Sequence, residues 1–362
     1  MRTTTLPIGM KNGSAFLERL GADVPQNQFI RELYKNAEDA GATKVDFDID
    51  RFNYIGEQLY KLSIIDNGPG MDGDELIELI NKFASGTNEM SLTGNFGIGA
   101  KISTFPNNPH GTIYLSRKDD INYQIHFEKD SVGTWGLRQF ERPDGTYGYF
   151  TTVEDSVMPK LIMESGHGTA VVLLGKDRED NTLLPPKGVK GGKTNWIIKE
   201  LNSRFFKIPS AMRLRVNQFT KLDKNAESSQ WISIRGNGWF LDKFSKHRGT
   251  LEHPLGKIHY YVIKKNQQNQ KRTGVYVTSG HTGIIYQNEI YDMRFKARGT
   301  RMLQNFGLNF SSKRVVIYIE PNESLGAVPN SGRTELVVNG NPFPWDDFAD
   351  WFRENMPDEI GN

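Results

Sequence analysis

The sequence predicts an α+β protein: a two-layer α/β sandwich with helices over a largely antiparallel sheet, then a smaller α+β domain. Three observations carry this expectation. Phe29, Leu33 and Ala37, with Ile30 and Tyr34, recur at helical spacing. Val45, Phe47 and Ile49 alternate with polar residues as a half-buried strand does. At 362 residues and 37% hydrophobic, the chain is long enough to bury a sizeable core and to divide in two.

The elements follow in order. A short helix is expected at SAFLERLG within a leading segment, residues 1–24. The first domain, 25–177, opens with the Phe29 helix, and Gly41 stands where a C-terminal cap belongs. Leu59 to Ile65 reads as a strand ending at Asp66, and Leu76, Ile77, Leu79, Ile80 and Phe83 mark a second helix. ASGTNEMSLTGNFGIG is long, small and polar, which suits a lid. Strand-like runs follow at GTIYLS, YQIHFE, YGYFTTV and GTAVVLLG. Residues 178–193 are rich in charge, Pro and Gly, as an exposed linker or loop is. The second domain, 194–342, begins with a helix from Thr194 to Phe206 and continues with strands at MRLRV, QWISIRG, IHYYVIKK, GVYVTS, GIIYQNEIY and RVVIYIEP. A C-terminal helix and tail, 343–362, place Trp345, Phe348, Trp351 and Phe352 at helical spacing.

Composition removes several function classes. No stretch approaches the roughly 18 apolar residues of a membrane span, and the first residues lack the apolar core of a secretory signal. Zero cysteines exclude disulfides, thiolate metal sites and cysteine nucleophiles. A net charge of +2 is too mild to announce nucleic acid. GVKGGKT ends like a phosphate-binding P-loop, but only three residues separate Gly188 from Gly192 and Lys187 stands where the first glycine belongs. That segment reads as linker.

The chemistry concentrates in the first domain. Glu32 and Asn36 are four residues apart on one helix and project from one face. Asp66-Asn67-Gly68-Pro69-Gly70-Met71 and Gly94-Asn95-Phe96-Gly97-Ile98-Gly99-Ala100-Lys101 come next, so an acidic helix, an Asp-led turn and a glycine-rich loop arrive in order. That order points to a nucleotide pocket.

RELYKNAEDAGA, IIDNGPGM, SGTN with TGNFGIGAKIS, and GHGTAVVL together resemble the motifs of the GHKL ATPases. That superfamily holds the type II topoisomerase ATPase subunits, the ninety-kilodalton heat-shock chaperone, sensor histidine kinases and MutL. The lid most resembles the heat-shock chaperone and the MORC chromatin ATPases. The resemblance implies the GHKL (Bergerat) fold and an ATP site. Glu32 becomes the general base for water, and Asn36 a Mg²⁺ ligand with a hard amide oxygen. Asp66 accepts from the adenine amine, which separates ATP from GTP. Gly68 and Gly70 admit the base, Met71 touches its face, and Thr169 adds a hydroxyl. Thr87 belongs to the hinge of the lid. Gly94, Asn95, Phe96, Gly97, Ile98 and Gly99 present backbone N–H groups to the phosphates. Lys101 has two readings, near the phosphates or facing solvent. The second domain resembles the transducer of this superfamily, with Arg333 in AVPNSGRTEL as the basic residue that reaches the γ-phosphate. A solvated glutamate, a turn aspartate and a surface arginine are the ordinary alternatives for Glu32, Asp66 and Arg333.

The expected activity is Mg²⁺-dependent ATP hydrolysis driving a nucleotide-dependent homodimer, with the leading segment crossing between subunits. The partner is DNA, for which Lys264, Lys265, Lys271 and Arg272 and the set Lys187, Lys190 and Lys193 are the basic clusters, each also readable as a solvated loop, or a protein client as for a chaperone-like switch. A nucleotide sensor without turnover is the third alternative. The histidine-kinase branch fits poorly, since the 28 residues before Phe29 hold no histidine. The expected location is cytoplasmic or otherwise intracellular, nuclear in a eukaryote, with no membrane partner.

Overall fold

The computed structural model describes residues 5–7, 13–22, 24–50, 60–81, 98–141, 145–192, 194–218, 230–265, 275–309, 312–330 and 332–361. Two compact units divide the chain. The first comprises Met1–Ile197 and Ser210–Ser233, the second Ile198–Pro209 and Ile234–Asn362.

The first unit is one mixed sheet with helices. Its strands are β1 (Thr5–Pro7), β2 (Lys44–Ile49), β3 (Leu62–Asp66), β4 (Gly111–Lys118), β5 (Ile121–Lys129) and β6 (Trp135–Arg138). A two-stranded ribbon of β7 (Phe140–Glu141) and β8 (Tyr147–Gly148) follows, and then β9 (Thr151–Thr152), β10 (Gly168–Gly175), β11 (Arg213–Gln218) and β12 (Gln230–Ser233). The main order is β1-β6-β5-β4-β10-β3-β2-β11-β12, with β9 on β5. Every pair is antiparallel except β2 with β11. Helices α1 (Gly13–Ala22), α2 (Gln28–Asp39), α3 (Gly73–Asn81) and α4 (Ile98–Thr104) come from the first half. On the strands, side chains alternate between faces. Val45, Phe47 and Ile64 are buried on the same face as Asp66. On the opposite face α5 (Lys160–Ser165) covers Ile65, Leu115, Ala170 and Val172 with Leu161 and Ile162.

Strand β2 departs from its half-buried expectation. Asp46 and Asp48 are buried, because β11 lies alongside and supplies their partners. Arg215 grips Asp46 with two bonds of 2.7 Å, Arg213 adds a longer pair at 3.2 Å, and Asn217 Nδ2 donates to Asp48 at 3.0 Å. The runs MRLRV and QWISIRG thus extend the first sheet, where the sequence placed them in the second domain. The expected linker is also partly tied down. Lys61 is fully buried, and its Nζ donates to the carbonyls of Leu174, Asp177 and Asp180, while Trp196 Nε1 donates to Leu183 O at 2.9 Å.

The second unit contains the C-terminal part of α6 (Asn195–Arg204), then α7 (Asn237–Phe244), β13 (Ser245–His253), β14 (Gly256–Ile263), β15 (His281–Tyr286) and β16 (Glu289–Phe295). It continues with α8 (Lys296–Asn305), β17 (Val315–Pro321), a small sheet of β18 (Ala327–Pro329), β19 (Leu336–Val338) and β20 (Asn341–Pro342), and α9 (Trp345–Glu354). The larger sheet runs β13-β14-β17-β15-β16. One core beneath it joins Ile258, Ile284 and Ile317 to Phe306, Trp345, Phe348 and Phe352, so the C-terminal helix packs where its aromatic spacing required. GVYVTS was expected as a strand. Its described part is irregular, and its Val277 N–H goes to the Asn237 side chain instead of a neighbouring strand.

Candidate nucleotide site

Helix α2 sets the geometry. Its apolar face packs inward through Phe29, Ile30, Leu33, Tyr34 and Ala37, and Gly41 closes it at φ +84°. Glu32, Asn36 and Ala40 follow one another at intervals of four, so they line one side of the helix over roughly 12 Å of rise. At the Glu32 end lies Gly99, at the start of α4. A Cβ built there would clash with Glu32 Oε2 and stand 2.8 Å from Cδ, so the carboxylate fills the space a side chain would need. At the other end Gly68 approaches, its built Cβ 3.9 Å from Ala40 Cβ. Asn36 lies between them, half-buried.

Glu32 is 4% exposed, and its Oε1 accepts from Gln28 Nε2 at 2.8 Å and Arg31 Nη1 at 3.0 Å. A buried carboxylate needs such donors to stay charged. Sequence reading missed both, although Gln28 at i−4 is a helical neighbour.

Asp66 ends β3, paired with Thr169 of β10 on one side and Val45 of β2 on the other. Its Oδ1 accepts from the Gly68 N–H at 2.7 Å, which folds the following turn. Desolvation pushes its carboxyl up to about 6, against the pull of the Gly68 and Thr169 amides and of His167. Gly70 is at φ +73°, and a Cβ there would run into the Arg117 carbonyl, so only glycine suits the turn. The Met71 N–H donates to Ser116 Oγ at 2.8 Å, and Ser116 Oγ lies 3.0 Å from Thr169 Oγ1 and donates to Gly168 O at 3.1 Å. Ser116, too, is not marked by the sequence. Only the β4–β10 register, which sets Ser116 opposite Thr169, brings it here.

Asp66, Gly68, Gly70, Met71 and Thr169 are therefore brought together, and Glu32 meets Gly99. Lys101 does not face solvent, since it is buried and its Nζ donates to Leu79 O in the last turn of α3. Thr87, Gly94, Asn95, Phe96 and Gly97 lie outside the described residues, as does the Ile98 side chain. Arg333 belongs to the second unit, half-buried at φ +51° in a turn where its N–H donates to Asn330 O. Asn330 Oδ1 in turn accepts from Thr334 N at 2.9 Å. Among the described residues no cluster of His, Cys, Asp and Glu could by itself hold a metal. A single hard oxygen such as that of Asn36 fits Mg²⁺, which keeps most of its waters and takes phosphate oxygens.

Residues 25–156 match the family model described as Histidine kinase-, DNA gyrase B-, and HSP90-like ATPase. Among solved structures, the N-terminal domain of a DNA repair protein superposes with a TM-score of 0.52 at 12% identity, over 95% of this chain and 97% of that one. The B-subunit of the DNA gyrase from Myxococcus xanthus gives 0.49 at 8% identity, over 91% and 89%. No curated protein matches the chain. No described helix is long and apolar enough to cross a membrane. The family match falls on the segment that holds Glu32, Asn36, Asp66 and Gly99 and agrees with the α+β fold of the first unit, so residues 25–156 form an ATPase domain of the GHKL type.

Proposed function

We propose that the chain binds ATP with Mg²⁺ and hydrolyses it, and that the ATP state favours a closed homodimer. One observation carries the reading: a single side of α2 runs from the Glu32 carboxylate over Gly99, past Asn36, to the glycine turn beneath Asp66. The base would lie at the Asp66 end, with Gly68, Gly70, Met71 and Thr169, and the phosphates toward Gly99 and the glycine loop before it. Asn36 would hold Mg²⁺ through its amide oxygen, and the ion would neutralise phosphate charge. Glu32 would take a proton from the attacking water. Arg333 would answer the γ-phosphate, which ADP lacks, and so make closure specific to ATP. In this arrangement β1 pairs with β6 at the edge of its own sheet, a pairing a second copy could supply by exchange. The partner acted on is DNA or a protein client.

Turnover and binding measured together test the proposal. Mg²⁺-dependent binding of ATP over GTP, with phosphate release, is the expected result, and equal affinity for GTP would count against the pocket. A second reading, ATP sensing without turnover, is favoured by the Arg31 contact, which occupies a Glu32 oxygen that a base would use. Tight binding with no phosphate release would select it.

A further inference from the structure

The second unit is electrically lopsided. Its five-stranded sheet ends on one side with the start of β13, the end of β14, the starts of β17 and β15 and the end of β16. Lys246, Lys264, Lys313 and Lys296 sit at the β13, β14, β17 and β16 ends, and all four are exposed. Backbone bonds hold the row together: Lys264 N donates to Phe244 O at 2.9 Å, Ile263 N to Arg314 O at 2.9 Å, and Gly280 N to Lys313 O at 2.8 Å. With neighbouring strands about 4.8 Å apart, the row crosses roughly 19 Å. The opposite end of the same strands carries Glu252, Glu320 and Glu323.

Two further cations flank the row, Lys243 on α7 and Arg235 just before it. Arg235 and Lys243 stand 4.8 Å and 5.1 Å from the Trp239 ring centre, so the indole pre-positions both charges and lowers the entropy lost when a ligand orders them. The carboxylates that border this end are engaged or flanked by cations. Asp242 holds Arg248 at 2.6 Å, Asp292 holds Arg294, and Glu200 follows Lys199.

We propose that this basic end is a docking face for the sugar–phosphate backbone of a nucleic acid. A row of cations one or two strands apart presents a line of charge to a polymer of regularly spaced phosphates, which releases counterions as each is neutralised. An anionic membrane would ask for an apolar face beside the charges. Here Phe295, 45% exposed with Lys296 Nζ 5.5 Å from its ring, is the one large exposed apolar side chain among the described residues of the second unit. The proposal names the partner of the ATP-driven reading, yet the binding it describes needs no nucleotide.

The test is fluorescence anisotropy of the full chain without ATP, using a labelled 30-base-pair duplex and the same-length single strand between 50 and 200 mM salt. Lys264→Glu with Lys313→Glu is expected to weaken binding at least tenfold and to shallow the log–log salt slope by about two, near 0.9 per duplex phosphate contact or 0.7 for single strands. Whichever polymer shows that slope is the ligand. Lys257→Glu, exposed at the far end, should leave affinity unchanged. Equal affinity of the double variant and the wild type would overturn the proposal, as would binding to phosphatidylserine vesicles but to neither polymer. Circular dichroism checks that both variants fold. Loss of ATP turnover alone would leave this result standing and sink the ATPase reading instead.

Discussion

The Glu32 carboxylate occupies the space that a side chain at position 99 would take. Gly99→Ala is therefore expected to push the carboxylate off its Gln28 and Arg31 donors while leaving the Asp66 turn intact. Phosphate release should fall at least tenfold, with ATP affinity changed much less. Glu32→Ala should go further, losing about 10²- to 10⁴-fold in turnover and still binding ATP, because a general base acts on water and not on the ground-state nucleotide. Single-turnover phosphate release beside equilibrium binding separates the two. Unchanged turnover in Glu32→Ala removes that residue from the chemistry.

The raised pKa of Asp66 gives two pH effects of opposite sign. As pH falls through about 6 its carboxyl takes a proton, so its acceptance from an adenine amine weakens. Adenosine affinity should drop between pH 7.5 and 5.5, and calorimetry at both values reads it. A flat profile contradicts the assignment. The stability contribution runs the other way: the native state holds this proton more tightly than the unfolded chain, whose value is about 3.9. That contribution is fully present below the unfolded value and lost as pH rises through about 6.

Ser116 supplies the acceptor for the Met71 N–H in a buried place. Ser116→Ala removes it and leaves that N–H and the Thr169 hydroxyl short of a partner. A loss of about 1–3 kcal/mol is expected from urea unfolding, together with weaker ATP binding. Ser116→Thr keeps the hydroxyl and should recover most of the stability.

Arg333 couples the second unit to the nucleotide in the proposed cycle. Sedimentation should show a monomer or weak dimer without nucleotide and a tighter dimer with a nonhydrolysable ATP analogue. Arg333→Ala is expected to impair dimerisation and turnover more than ATP binding. An unchanged mass at saturating analogue would rule out the clamp and leave the ATP site untouched.

The parts of the site most legible in the sequence are those whose chemistry is local. Glu32 and Asn36 share a helix, and Asp66, Gly68 and Gly70 share one turn, so spacing alone brings each set together. Ser116 was invisible because only strand register places it, and Gln28 was passed over because its i−4 spacing from Glu32 does not by itself fix the rotamer that makes the bond. The solvent-facing reading of Lys101 failed because an early-helix lysine looks exposed in sequence, whereas this side chain reaches a carbonyl in the last turn of α3, where a cation is favoured. The strand β13, SKHRGTLEH, has Leu251 as its single aliphatic residue beyond glycine. It is an edge strand, its residues alternately half-buried and exposed along most of its length, so it lacks the apolar alternation that marks a strand. The β2–β11 pairing escaped notice for a related reason. A parallel partner more than 160 residues away leaves no trace in local periodicity, and only the buried Asp46 betrays it.

The excursion of the polypeptide through residues 198–209 of the second unit and back to 210–233 of the first has a practical consequence for anyone cutting this protein apart. A fragment ending at Ile197 would strip β11 from β2, leaving Asp46 without either guanidinium and the β2 backbone as an unpaired sheet edge. Such a fragment is expected to precipitate or melt far below the intact chain. Nicking an exposed bond between the units, by contrast, should leave the pieces associated, because each unit is stitched from two separated stretches of sequence.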